Sequence, residues 1–370
     1  MRGMKPLAEL LAGIAILCMT ALGAPAQTPP REGAQQFASL GDFKLRSGET
    51  IRDFQIGYRT LGRLNSAKSN AILWCTALGG RSEGLLQYVG PGNVVDTGRY
   101  FVVLVDAIGN GVSSSPSNSK SQPLMQFPRF AIRDMVEAEH RLIADVLHLP
   151  HLRAVVGVSM GGMQTFEWAV AYPDSMDLAI PLLGSPQSTS ADKLLWTAEI
   201  DAIELDPAWH NGHPTGLLAA GPQLAGEIHV MNLTSPAYRS AHTDPASIDA
   251  FLEDTRKEWR GDGGAASDQI RQRQAVMALD IPGEYGVTME QAAKRVHAKM
   301  LIVVSPEDQM VNPAPAVEFA QAIAAPLVKL ESACGHMSLA CISAGPLVAR
   351  FLADPASVRG QTLHESPAPH

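Results

Sequence analysis

The chain has no block of basic residues. Its 29 Lys and Arg are scattered among 37 Asp and Glu, for a formal net charge of -8. That balance argues against nucleic acid or anionic lipid as the partner. Cysteine is scarce: past the first 26 residues only Cys75, Cys334 and Cys341 remain, an odd number without metal-type spacing. Cys334 and Cys341 are the nearer pair for a disulfide, with separate buried thiols as the alternative. The histidines of the second half, among them His210, His213, His229 and His242, also lack ligand spacing, so no metal is expected. Beyond the N-terminus no apolar run approaches the roughly 20 residues that span a bilayer.

What is present is ordinary globular material, 46% apolar and 18% charged. The first 26 residues read as a signal peptide. Arg2 and Lys5 give a positive start, Leu7 to Leu22 is mostly apolar, and Ala24-Pro25-Ala26 offers small residues for cleavage. The expectation is an exported chain, periplasmic or secreted, maturing near Gln27, with residues 27–40 as a flexible tail.

Phe43 to Leu45 and Phe54 to Leu61 alternate apolar and polar residues, the period-2 mark of antiparallel strands with one wet face. Ala71 to Cys75, Tyr100 to Asp106, Val155 to Val158, Leu178 to Leu183 and Lys299 to Val304 are continuous apolar runs. Runs of this kind suit a parallel sheet covered on both faces. Helical periodicity from Ile132 to Leu147 and from Gln164 to Ala171 separates them. The pattern predicts an α/β fold: a mostly parallel, doubly wound sheet over residues 41–185 and 296–354, followed by a C-terminal tail, 355–370. Residues 186–295 are helical (Lys193 to Ile203, Ile248 to Trp259, Gln269 to Leu279) and broken by Pro, Gly and Asn clusters. An insertion between two sheet strands is expected to cap the carboxyl edge, where open α/β sheets bind ligands; a separate helical domain is the alternative.

Gly157-Val158-Ser159-Met160-Gly161 lies between an apolar strand and a helix, the context in which G-x-S-x-G holds a serine nucleophile on a sharp turn. The partners of such a serine follow in chain order, acid then histidine, each on a loop after a strand. Asp308 and His336 meet both conditions, and Glu307 is the rival acid. In this reading His336 takes the Ser159 proton and Asp308 fixes the imidazole. The N–H groups of Met160 and Leu78, the latter within Thr76-Ala77-Leu78-Gly79-Gly80, would hold the oxyanion.

Several stretches together resemble the homoserine O-acetyltransferase branch of the α/β-hydrolase superfamily. They are Phe54 to Gly62, Gly90-Pro91-Gly92, Gly157 to Gln164 with Glu167-Trp168-Ala169, Tyr172-Pro173-Asp174, and Asp206-Pro207 with Trp209 and Gly212. Members of that branch pass an acyl group from acyl-CoA to an amino-acid hydroxyl through an acyl-serine. The resemblance implies the same roles for Ser159, Asp308, His336, Leu78 and Met160, and it implies no cofactor.

The chain departs from the branch at three places. Met337 stands where the biosynthetic enzymes carry an aspartate after the histidine, and Thr76 replaces a histidine. The segment Gly216 to Gly221 lacks the arginine that binds the acceptor carboxylate, which leaves Arg239 as the substitute. A less polar acceptor pocket follows, so the leading expectation is an exported serine esterase acting on a small acyl ester. An O-acyltransferase with a changed acceptor and a catalytically silent binding protein are the alternatives. A two-fold dimer through the cap is compatible with either.

Overall fold

A computed structural model describes residues 31–365; the expected signal peptide lies outside them. The described residues hold twelve strands: β1 (Gln36–Lys44), β2 (Thr50–Leu61), β3 (Ala71–Cys75), β4 (Phe101–Val105), β5 (Leu152–Val158), β6 (Met176–Leu182), β7 (Leu217–Leu218), β8 (Gly261–Asp262), β9 (Lys299–Met300), β10 (Ile302–Val304), β11 (Leu327–Glu331) and β12 (Gln361–His364). The central sheet runs β1-β2-β4-β3-β5-β6-β10-β11-β12, with β9 beside β6. β1, β2 and β4 pair antiparallel, and every other pair in this sheet is parallel.

The continuous apolar runs become inner strands because helices cover both faces. β3 shows how the residues divide: Leu73 and Cys75 enter one core with Phe127, Phe166 and Trp168, while Ile72 and Trp74 enter the other with Leu347 and Phe351. Among the described residues, twelve α-helices surround the sheet or form the cap: α1 (Ile132–Arg141), α2 (Met160–Ala171), α3 (Ser190–Glu204), α4 (Ala220–Leu233), α5 (Pro236–His242), α6 (Ile248–Glu258), α7 (Gly263–Met277), α8 (Ile281–Glu284), α9 (Met289–Ala293), α10 (Ala314–Ala322), α11 (Ser338–Cys341) and α12 (Gly345–Ala353). No single described helix is long and apolar enough to cross a membrane.

Two expectations need correction. Gln36 to Leu40, assigned to a flexible tail, begin β1, where Ala38 and Leu40 are buried and Gln36 to Ser39 pair with Tyr58 to Gln55 of β2. The expected C-terminal tail holds β12, which pairs in parallel with β11, and Val358 before it is buried. Both are edge strands, with one side paired and the other facing water, and neither carries the unbroken apolar run that marks an inner strand. α3 to α7 with the short β7-β8 pair form the insertion; its own apolar cluster gathers Ile203, Trp209, Leu218 and Ile270.

Candidate active site

Ser159 sits between β5 and α2 with φ 56° and ψ −121°, a left-handed backbone rare for a side-chain-bearing residue. Its N–H donates to the Leu182 carbonyl at 2.8 Å. The flanking glycines are demanded by space. A Cβ on Gly157 would lie 2.0 Å from the Gly161 carbonyl oxygen, and one on Gly161 would lie 2.4 Å from that of Cys75. Strain at one serine is therefore held by crowding on both sides.

Asp308 and His336 come to this serine on the loops after β10 and β11. His336 Nε2 lies 2.9 Å from Ser159 Oγ, and Nδ1 lies 2.7 Å from Asp308 Oδ2. The other Asp308 oxygen accepts the N–H groups of Met310 and Val311, both at 2.9 Å, so the carboxylate is fixed at both ends. Glu307, the rival acid, is exposed and makes no hydrogen bond to His336. Ser338 Oγ donates to the Gly335 carbonyl at 2.6 Å and meets Ser305 Oγ at 2.9 Å, which ties the histidine turn to the aspartate loop. A Cys334–Cys341 disulfide brackets the same turn, and Cys75 is a free buried thiol.

The N–H of Met160 opens α2, where the helix dipole favours negative charge. Leu78 lies on the loop after β3, and no described hydrogen bond engages either N–H. Two glutamines that the sequence reading missed set this loop. Gln164 Nε2 donates to the Thr76 carbonyl at 3.0 Å, and Gln272 Oε1 accepts the Gly79 N–H at 2.7 Å. Thr76 Oγ1, in turn, accepts the Ala107 N–H.

Leu78, Ser159, Met160 and His336 border a cavity of about 590 Å³ between sheet edge and cap. The cap contributes Trp196, His229, Leu233 and Val276, and the core contributes Trp74, Tyr88, Met310 and Met337. No lining side chain is a carboxylate, lysine or arginine. Met337 is on the wall. Arg239 is not: its guanidinium covers the Phe251 ring at 4.2 Å and donates to Thr243. The segment ending in Gly221 could not deliver an arginine either, since a Cβ there would meet the Ala202 carbonyl at 2.6 Å. Its N–H is used inside the cap, donating to Asp206.

His229 is the other residue that the sequence left unassigned. Its Nδ1 lies 3.2 Å from Glu199 Oε1, and Arg273 Nε donates to Glu199 Oε2 at 2.7 Å. Arg273 Nη2 is 2.6 Å from the same oxygen but too bent for a good hydrogen bond, so it contributes mainly charge. Burial would raise the Glu199 pKa, but Arg273 and His229 outweigh it and hold the group ionised below its ordinary value. Burial is the largest influence at His229 and lowers its pKa against the pull of Glu199, which favours the neutral imidazole at neutral pH.

Residues 70–340 match the model of the alpha/beta hydrolase fold family. A probable esterase of Corynebacterium glutamicum is 37% identical over 184 residues, covering 49% of this chain and 53% of its own. A homoserine O-acetyltransferase of Methanococcoides burtonii is 29% identical over 308 residues, covering 74% and 62%. The chain thus matches between about half and three-fifths of the length of these relatives. A crystal structure of an acetylester hydrolase from Corynebacterium glutamicum superposes with TM-score 0.78 at 27% identity, over 86% of this chain and 95% of the other. Sheet order, strained elbow and family match agree, and the chain belongs to the α/β-hydrolase fold family.

Proposed function

We propose that this chain is an exported serine esterase that takes the acyl group of a small uncharged ester onto Ser159 and passes it to water. The observation that carries the reading is the hydrogen-bonded line Ser159–His336–Asp308 opening into a cavity without a charged carboxylate or cation. His336 Nε2 removes the hydroxyl proton as Ser159 Oγ attacks the ester carbonyl, and the N–H groups of Met160 and Leu78 receive the oxyanion. Loss of one such donor typically costs about 3 kcal/mol of transition-state stabilisation. As the tetrahedral adduct collapses, the imidazolium gives its proton to the departing alcohol. Water then repeats the sequence on the acyl-serine, with His336 as base. Asp308 keeps Nδ1 protonated and balances the imidazolium charge.

Likeness to proteins named esterase and acetylester hydrolase supports hydrolysis. Met337 on the wall and the missing arginine support it too, because an amino-acid acceptor would find no charged partner there. The second reading, transfer to an alcohol, rests on the likeness to homoserine O-acetyltransferases. Export rests on the basic and apolar N-terminal sequence.

The test is reaction with a fluorophosphonate and turnover of 4-nitrophenyl acetate by the wild type and by Ser159→Ala. The expected result is one label on Ser159 and turnover at least about a thousandfold above the variant. Absence of label on the folded wild type would instead favour a silent binding protein.

A further inference from the structure

Within the candidate active site, one histidine on the cavity wall has no part in the chemistry described above. His229, on α4, lines the cavity wall, and its Nδ1 faces the Glu199 carboxylate. An ionised carboxylate has no proton to give, so Nδ1 carries the hydrogen and Nε2 is left as a bare acceptor. Among the described residues Nε2 has no hydrogen-bond partner. The tautomer is locked from behind. Glu199 and Arg273 have fully buried side chains, and the guanidinium lies 5.9 Å and 5.5 Å from the rings of Trp196 and Trp259. The Arg273 charge is thereby spent inside the cap and is not offered to a ligand.

A bare acceptor on the wall of a chamber without charged carboxylates or cations is placed to receive a hydrogen bond from a donor on the ligand. The indole N–H groups of Trp74 and Trp196 on the same wall, unpartnered among the described residues, can only donate. Burying the acceptor without a donor costs free energy on binding. Its place relative to the reaction follows from the fold. α4 ends at Leu233, and the next residues touch the histidine turn, with the Ser235 N–H donating to the Ala333 carbonyl at 3.1 Å. His229 and His336 therefore share one side of the cavity. His336 must protonate the departing alcohol, so the alcohol half of an ester lies on this side.

We infer that His229 is a specificity-determining residue whose Nε2 accepts a hydrogen bond from a second hydroxyl on the alcohol half of the substrate. The substrate class is then an ester of a diol or similar uncharged, hydroxylated alcohol. The inference rests on the esterase reading and adds the identity of the leaving group. Amino-acid alcohols are disfavoured, because a neutral imidazole and a sequestered guanidinium leave their carboxylate unpaired.

The test uses the full chain and two esters of equal heavy-atom count, 2-hydroxyethyl butanoate and propyl butanoate. Their ratio of kcat/KM is compared in wild type, His229→Phe and His229→Gln. Phenylalanine keeps an aromatic ring beside Trp196 and Trp259 but removes the acceptor. Glutamine can still donate to Glu199 and accept through its amide oxygen. The expected result is a ratio about tenfold lower in the phenylalanine variant, carried by the hydroxylated ester, with partial recovery in the glutamine variant. Product inhibition of the wild type gives a reading independent of variant folding: ethylene glycol should inhibit more strongly than 1-propanol. An unchanged ratio, or equal inhibition by the two alcohols, would overturn the role of His229. Failure to turn over either ester, together with no fluorophosphonate label on Ser159, would instead overturn the esterase reading.

Discussion

Asp308 accepts three hydrogen bonds, and only one of them comes from the imidazole. An asparagine there would keep its oxygen on the Met310 and Val311 N–H groups and turn its NH2 toward His336. That forces the hydrogen onto Nε2, the atom that must accept the Ser159 proton. Asp308→Asn should therefore lower kcat by about four orders of magnitude with little change in KM, as steady-state kinetics on an activated ester would measure. A loss below tenfold would mean that another group fixes the tautomer. At this scale the sequence was legible where chemistry and chain order coincide, hence Ser159, Asp308 and His336. It was silent on Glu199, His229, Arg273 and Gln272. Their partners lie between 30 and 193 residues away in the chain, and no local spacing records such pairs. Arg239 shows the opposite failure, an arginine near the right place in sequence that turns onto Phe251 instead.

Among the elements, the β5–α2 elbow is the most constrained. Gly161→Ala should destabilise the protein by several kcal/mol, or prevent its soluble production, because the added methyl meets the β3 backbone rather than a side chain that can move. Chemical denaturation would measure it, and a change below 1 kcal/mol would mean the elbow can open. Behind the elbow, β3, α1 and α2 meet at Glu139, where Trp168 Nε1 donates to the carboxyl at 2.7 Å and Cys75 Sγ lies 3.5 Å away. Burial, only partly offset by these bonds, raises the Glu139 pKa from 4.5 to about 8. The folded chain thus holds a proton there that the unfolded chain releases near 4.5. Between those pH values the native state binds more protons, so stability falls as pH rises, by up to about 1.4 kcal/mol per pH unit. Thermal melts from pH 5 to 8 should show this decline, and Glu139→Gln should flatten it in part. Glu167, also raised to about 8, chiefly by burial, leaves a residual slope of the same sign. A variant with the wild-type slope would mean Glu139 is ionised in the fold. Inner strands were readable as elements because burial on both faces demands unbroken apolar sequence. β12 and the start of β1 were not, since edge pairing is satisfied by backbone that any polar residue can supply.

Taken whole, the molecule sets a cap of α3 to α7 over the carboxyl edge of the sheet and encloses a cavity without charged carboxylates or cations. Its existence was legible from the change of pattern after Ser185, but its interior was not, because cavity walls are assembled from seven or more separated segments. In the proposed reading, this chamber is what favours an ester over an amino-acid acceptor. The measurement that tests the account most directly is the fate of the acyl group. Purified protein would be given a small acetyl ester and, separately, acetyl-CoA, each with and without homoserine, beside the Ser159→Ala control. The account predicts free acetate from the ester, unaffected by homoserine and absent from the control. Acetylated homoserine formed from acetyl-CoA would contradict it, and would mean that the apolar chamber still receives an amino acid.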